Sequence, residues 1–215
     1  MVPKLSDQTR ARRRQHILTS AWTCFSRGGF HATSMDDVIA ATGMSSSAVY
    51  RYFRSKDELI AATVDEGLAK VRGIFLALLD RDPCPTPAET LSLVVAELDS
   101  RTRNPQYDMT RIALQTWAEA VRDPFLRKRA RSLYRETLRH ITELADRWRD
   151  NGHLPPEANT HAAAATLFSV MHGLIVMHHV VDDVGADALR DGLVLLGAAA
   201  APHAVPTTPL PEAHP

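Results

Sequence analysis

The chain has 215 residues, 45% of them hydrophobic, with 25 basic and 25 acidic side chains. This is the composition of a globular protein that can bury a core. The start is polar and arginine-rich, and the longest apolar stretch, 162–181, is interrupted by Thr, Ser, Gly and His, so we expect a cytoplasmic protein with no signal peptide and no membrane span. Cys24 and Cys84 lack partners at metal-ligand spacing and are expected to be reduced thiols.

Positive charge is concentrated at the start of the chain. Residues 1–56 contain nine lysines and arginines but only three aspartates and no glutamate, although the whole chain is formally neutral. A basic N-terminal segment, balanced by net negative charge in the rest of the chain, is typical of a protein that binds nucleic acid through part of its length. For the basic run from Arg10 to Arg14 two alternatives stay open, a solvated tail or a contact with phosphates or the minor groove.

The first predicted elements are two helices. Apolar residues recur at three- and four-residue spacing with no sustained β alternation, so the fold class is expected to be all-α. The first helix has an apolar face from Ile17 to Phe25 and ends at Gly28-Gly29, since glycine favours the position just past a helix. Thr33 and Ser34 offer hydroxyl caps for a short second helix, which Gly43 closes.

A third and a fourth helix follow directly. Ser45 is the expected N-cap of the third helix, with Val49 and Phe53 on its inner face. The segment Ser55–Glu58 predicts a capping box that opens a long fourth helix with apolar positions as far as Leu78. A helix of this length can join two domains.

The rest of the chain predicts a helical body and a tail. A proline-dense break at 82–87 and a loop at 154–156 divide the body. The prolines after residue 201 predict a disordered tail. The expected body helices are 88–103, 107–122, 124–150, 160–181 and 186–201.

Two short helices joined by a glycine-containing turn, inside a basic head, are typical of a helix-turn-helix unit. The segment TSMDDVIAATGMSSSAVYRYFRSKDEL, from Thr33 to Leu59, closely resembles the DNA-binding signature of the TetR family, the tetracycline-repressor-like regulators. The resemblance extends from Ile17 to Val64. Its most specific feature is the spacing of Gly43, Tyr50, Phe53 and Lys56.

The resemblance implies a homodimer that places two recognition helices in successive major grooves of a palindromic operator in double-stranded DNA. It also implies an all-helical ligand-binding body that dimerises through the last two helices, here 160–181 and 186–201. The family default, repression released by a small-molecule effector, is adopted as an analogy. Beyond residue 65 the resemblance is one of layout, as at Trp117–Ala120 and Asp123-Pro124, and no motif names a ligand.

The predicted DNA contacts fall into two groups. Small side chains at the start of the third helix allow close approach to base edges, and Arg51 could bind either guanine or phosphate. The resemblance places hydroxyl and ammonium donors on phosphates, although Thr33 and Ser34 also suit capping and the tyrosines could be half-buried core. The base-edge candidates are Ser45, Ser46, Ser47, Ala48 and Arg51; the phosphate candidates are Thr33, Ser34, Tyr50, Tyr52 and Lys56.

An effector pocket is expected among the middle and late helices, because apolar cavities with few polar groups suit small ligands. Each candidate could equally be simple core packing. A metal site at His172, His178 and His179 is disfavoured, because their spacing does not align them and no carboxylate or thiolate accompanies them. The pocket candidates are Met109, Leu114, Trp117, Leu133, Tyr134, Phe168, Met171 and His172.

The expected organisation is a DNA-binding head at 1–60, a ligand-binding and dimerisation body at 61–201 and a tail at 202–215. No nucleophile elbow, phosphate-cradling glycine loop or metal-binding helix motif occurs, so we expect neither catalytic residues nor a cofactor. An enzyme and a structural protein with a vestigial head are the rival hypotheses. The donors at Thr33, Tyr50, Tyr52 and Lys56 argue against the second.

Overall fold

The computed structural model describes residues 6–102, 106–181 and 191–192. Within those ranges every long element is an α-helix and no strand occurs, which confirms the predicted all-α class. The helices are α1 (Asp7–Ala32), α2 (Met35–Thr42), α3 (Ser46–Tyr50), α4 (Lys56–Leu79), α5 (Pro87–Thr102), α6 (Met109–Arg122), α7 (Pro124–Asp150) and α8 (Thr160–Val180).

Helix α1 begins well before its apolar face. Ser6 caps it by accepting a hydrogen bond from the Thr9 N–H at 3.2 Å, and Asp7 lies in the first turn, where the helix dipole favours a negative charge. The run from Arg10 to Arg14 is therefore helical and exposed, which excludes an irregular tail. Gly29 has φ of 82°, so the regular helix breaks at the predicted glycine pair and a single further turn follows.

Serines occupy the N-cap positions of α2, α3 and α4, but only Ser34 and Ser55 make a side-chain cap bond, and Ser45 at α3 makes none. Ser34 and Asp37 form a reciprocal capping box at the start of α2, and Gly43, with φ of 64°, ends it. At α4 the predicted box is only half formed, because Ser55 accepts from the Glu58 N–H but the Glu58 carboxylate turns to the N–H of Arg54 at 2.7 Å. Glu58 thereby satisfies the backbone one residue before the N-cap.

Helix α4 connects two hydrophobic cores. The first core joins α1, α2 and α3 to the early turns of α4, up to Leu68, and also includes Ile112 of α6 and Leu126 of α7. The second core packs the late turns of α4, from Phe75 on, against α5, α7 and α8. The head therefore packs directly on the body, and its core does not end at residue 60.

Helix α8 leaves much of its apolar surface uncovered in the single chain. Val176 and Val180 are 39% and 71% exposed. By length and composition alone α8 is also a candidate membrane span, and little of its surface is buried in the fold. The helix predicted at 186–201 and the tail predicted at 202–215 lie outside the described residues, apart from Asp191 and Gly192, which are helical.

Candidate nucleic-acid interface and effector cavity

The outer face of α3 is fully accessible. Val49 and Phe53 are 0% and 2% exposed and anchor the helix in the first core. Of the five side chains that the sequence places toward base edges, Ala48 is half-buried and the other four are exposed. The exposed residues of this face are Ser45, Ser46, Ser47, Tyr50 and Arg51.

Thr33 and Ser34 both serve local structure. Thr33 is 4% exposed and its hydroxyl donates to the Cys24 carbonyl at 3.3 Å, so this hydroxyl has a partner and little access to a ligand. Ser34 is exposed, and its hydroxyl donates to the Asp37 carboxylate at 2.7 Å. The N–H and hydroxyl of Ser34 hold the pKa of Asp37 below its usual value, which keeps the cap charged.

Tyr52 and Lys56 lie where the head meets the body. Tyr52 is half-buried and packs on the first core, as one of the alternatives from the sequence allowed, and the chain leaves α3 after Tyr50. The Lys56 ammonium donates to the His31 carbonyl at 3.2 Å. An ammonium has three donors, so Lys56 keeps donors for a further acceptor.

A cavity lies in the body below the head. Its volume is about 70 Å³, room for about two water molecules at the roughly 30 Å³ that each occupies in the liquid. Of the eight predicted lining residues it includes Met109, Trp117, Tyr134, Met171 and His172. The lining residues that the sequence did not single out are Trp22, Thr63, Val64, Gly67, Leu68, Val71, Leu98, Arg101, Thr110, Ile112, Ala113, Thr116 and Ile175.

Three predicted residues lie outside the cavity wall. Leu114 lies on another face of α6, roughly 115° around the helix from the centre of the lining face. Leu133 packs on the first core and Phe168 on the second, so these two side chains are core. Helical periodicity finds buried faces, and it does not distinguish a filled interior from a cavity.

Aromatic rings close one side of the cavity. The Trp117 indole N–H donates to the Tyr134 hydroxyl, and the His172 ring packs against Trp117, Tyr134 and Phe168 with centroids 4.8, 5.4 and 4.3 Å away. The His172 Nδ1 lies 2.6 Å from the Phe168 carbonyl oxygen. Because a carbonyl only accepts, Nδ1 carries the proton. Burial lowers the pKa of His172, so the ring is neutral and Nε2 has a free lone pair.

Arg101 is the charged residue of the cavity wall. Its guanidinium donates two hydrogen bonds to Glu97, at 3.0 and 2.8 Å, and a third, longer contact reaches the sulfur of Met109 at 3.7 Å. The positive charge is therefore already balanced. The remaining lining residues are mainly apolar or are threonines. The hydroxyls of Thr63 and Thr116 donate to the carbonyls of Leu59 and Ile112 in their own helices.

Polar side chains of helix α6 bond to the end of α1. The Gln115 side chain accepts from the Phe30 N–H at 2.9 Å and donates to the Phe25 carbonyl at 3.0 Å, so it supplies partners to backbone groups on both sides of the break at Gly29. One turn later Glu119 pairs with His31 at 2.6 Å. An adjacent face of the same helix lines the cavity.

Comparison with known proteins agrees with this architecture. Residues 17–63 match the model of bacterial regulatory proteins of the tetR family, and residues 85–194, half of the chain, match the C-terminal model of BetI-type transcriptional repressors. The chain belongs to the TetR family.

Curated relatives match mainly at the head. The HTH-type transcriptional regulator YfiR of Bacillus subtilis is 40% identical over 75 residues, 33% of this chain and 37% of the relative. The chain thus spans about two fifths of that protein and of a repressor from Mycobacterium tuberculosis. The regulator UidR of Escherichia coli K12 is 26% identical over 75% of this chain and 79% of its own length.

Solved structures extend the likeness to the body. GusR of Salmonella enterica has a TM-score of 0.68 and 24% identity, covering 90% of this chain and 98% of its own. A transcriptional regulator of Saccharomonospora viridis, solved with choline, has a TM-score of 0.70 and 21% identity, covering 86% and 95%. At these identities the likeness supports the shared fold of a helix-turn-helix head on a helical body.

Proposed function

We propose that this TetR-family protein is a cytoplasmic, sequence-specific DNA-binding repressor that a small-molecule effector releases from its operator. The observation that supports this most directly is the outer face of α3, where serines and Arg51 are exposed while Val49 and Phe53 fix the helix from behind. A rigidly held helix with short polar side chains suits entry into a major groove. The match to repressor models agrees with this function, and we propose no enzymatic activity.

The DNA contacts divide by role. We assign Ser45, Ser46, Ser47, Ala48 and Arg51 to base edges, and Tyr50, Tyr52 and Lys56 to phosphates. Thr33 and Ser34 act in this proposal by shaping the start of α2. The exposed arginines of the first turns of α1 add positive charge to the same head, which is residues 1–60.

Residues 61–201 form the effector-binding body in this proposal, and residues 202–215 follow it as a tail. The cavity beside Trp117 and His172 is the effector site, since it is small, largely apolar and bordered by aromatic rings. The relative solved with choline is an example of this fold holding a small molecule. The uncovered apolar surface of α8 supports a homodimer, with the segment 186–201 as its second interface helix.

The test of DNA binding compares Lys56→Ala with Ser46→Ala, because phosphate contacts set affinity and base contacts set sequence choice. An operator is first selected from random duplex DNA. Losing Lys56 in both subunits should weaken binding to every sequence and reduce the log-log salt slope by about 1 to 2. Losing the Ser46 hydroxyl should keep that slope and relax preference at one position of each half-site by about 1 kcal/mol.

A charge-retaining variant and a stability measurement are the controls for this test. Lys56→Arg retains the charge and should retain the salt slope, and thermal unfolding of each variant shows whether the bond to the His31 carbonyl matters for the fold. An unchanged slope and affinity for Lys56→Ala would remove that residue from the interface. If the wild-type protein shows no salt-dependent retention on duplex DNA, the proposed function itself is wrong.

A further inference from the structure

Trp22 belongs to the head but lines the cavity of the body. It lies on α1, is 1% exposed, and borders the cavity beside Gly67, Leu68 and Met109. Lys70 of α4 places its ammonium 3.9 Å from the ring centroid, and the Tyr107 ring meets it edge-on at 4.7 Å. A molecule in the cavity therefore touches the first DNA-binding helix directly.

The indole N–H of Trp22 has no hydrogen-bond partner among the described residues, although it is buried. The other two tryptophans differ. Trp117 donates to the Tyr134 hydroxyl, and Trp148 donates to the Pro85 carbonyl at 2.8 Å. Buried N–H groups are nearly always paired, because leaving one unmade costs its lost hydration. Because the Trp22 residue borders the cavity, this orphan donor points to an acceptor that arrives from outside the protein.

We propose that the effector is a small, mainly apolar molecule with a neutral hydrogen-bond-accepting oxygen, and that this oxygen accepts the Trp22 indole N–H. This rests on the proposed function, which makes the cavity the effector site. A neutral oxygen fits better than a carboxylate, because both nearby cations are already paired, Arg101 with Glu97 and Lys70 with Glu66. The small volume of the cavity favours a compact molecule.

The hydrogen bond would determine specificity as well as affinity. A site that offers a buried donor rejects an analogue lacking the acceptor more strongly than an apolar wall rejects a change of shape. Because the donor belongs to α1, a hydrogen bond to the bound oxygen also links the head to the ligand in the body. An effector of this class therefore acts on α1 as well as on α4 and α6.

The experiment uses two fragments of nearly the same shape, cyclohexanone and methylenecyclohexane, which differ in having C=O or C=CH₂. The full-length protein is labelled with ¹⁵N at the tryptophan indoles and ¹³C at the methionine methyls. Trp→Phe and Met→Leu variants assign the signals. Both fragments should shift the methyls of Met109 and Met171, while only cyclohexanone should move the Trp22 indole proton downfield.

Two variants complete the test. Trp22→Phe keeps an aromatic ring but removes the N–H, so its affinity for cyclohexanone should fall about five- to tenfold while its affinity for methylenecyclohexane stays unchanged. Trp117→Phe is the matched control, because this residue also lines the cavity but gives its N–H to Tyr134. It should leave the preference for the ketone intact.

The outcomes separate this inference from the function on which it rests. Methyl shifts without an indole shift at Trp22, or equal binding of both fragments by wild type and Trp22→Phe, would overturn the acceptor contact and leave the cavity as the effector site. No methyl shift with either fragment would also overturn it. Salt-dependent binding to duplex DNA, measured on the same samples, tests the repressor function independently.

Discussion

His172 combines a buried ring with a fixed tautomer. Its Nδ1–H is used by the Phe168 carbonyl, and three aromatic rings surround it. Burial lowers its pKa, and the bond to the Phe168 carbonyl only partly opposes this. The folded protein therefore resists protonation at a pH where the unfolded chain accepts a proton.

This predicts a stability that falls in mild acid. The unfolded histidine titrates near pH 6.5, so above that pH neither state is protonated and His172 contributes no pH dependence. As the pH falls below 6.5 the unfolded state gains the proton first, and the free energy of unfolding decreases until the folded pKa is reached. Chemical denaturation at several pH values between 7.5 and 5 measures this slope.

The matched variants are His172→Phe and His161→Gln. His172→Phe removes the titrating ring and should flatten the slope. A smaller slope should remain from His179, because burial also lowers the pKa of that histidine although Asp108 opposes the shift. His161 is exposed at the start of α8, and its replacement should change nothing. An undiminished slope in His172→Phe would show that the pKa of His172 does not differ between the folded and unfolded states.

At the scale of elements, Gln115 holds α1 and α6 together. The Gln115 side chain bonds the Phe25 carbonyl and the Phe30 N–H, which lie on either side of the break at Gly29. Gln115→Ala should lower the free energy of unfolding by about 2 kcal/mol, since two partly buried backbone groups lose their partners. Urea denaturation measures it.

Gln15→Ala is the control for that substitution. Gln15 also makes a side-chain hydrogen bond to another helix, at 2.8 Å to Glu66, but the bond is exposed. Its loss should change stability by no more than about 0.5 kcal/mol. Equal effects of the two variants would mean that solvent satisfies the Phe25 and Phe30 groups and that Gln115 is dispensable.

The sequence predicted elements better than contacts. Serine caps and Gly43 act through neighbours three or four residues away, so the bounds of α2 and the start of α4 follow from local chemistry. The end of α3 did not follow, because the predicted inner face of this helix included Phe53, which lies beyond its last residue, Tyr50. The start of α1 was missed because its first turns have no apolar face and are defined by the Ser6 cap. The Trp22 contribution to the cavity was missed for a different reason, because it requires α1 to pack on residues of α4 and α6 that are distant in sequence.

At the scale of the whole molecule, the cavity and the head share structural elements. Trp22 of α1, Gly67 and Leu68 of α4, and Ile112 and Thr116 of α6 all line the cavity. The sequence predicted a fourth helix long enough to join the two domains, and α6 with Gln115 adds a second connection. A dimer that docks on successive major grooves needs its recognition helices about 34 to 36 Å apart, so a small displacement of these helices could change operator affinity.

Filling the cavity should therefore weaken operator binding. Ala113→Leu adds three carbons to the α6 wall and should lower operator affinity without an effector, because the cavity is then permanently occupied. Val121→Leu, an enlargement at an exposed site of the same helix, is the control. Electrophoretic mobility shifts at fixed salt measure both. Unchanged affinity in a folded Ala113→Leu protein would contradict coupling through α6.

The exposed side of α8 should be the surface where two copies meet. An apolar helix surface left in water is unfavourable, and burial against the same surface of a second chain about a two-fold axis removes it. Val180→Glu places a charge on this surface, and Val121→Glu places the same charge on a valine of equal exposure, 73% against 71%, at the end of α6. Sedimentation should show dimers for the wild type and Val121→Glu, and monomers at micromolar concentration for Val180→Glu. The monomer should also lose operator affinity, because only a dimer engages both half-sites at once.

A Val180→Glu protein that stays dimeric would move the interface away from this end of α8. A wild-type protein that needs detergent to stay in solution would instead favour a membrane as the cover of α8.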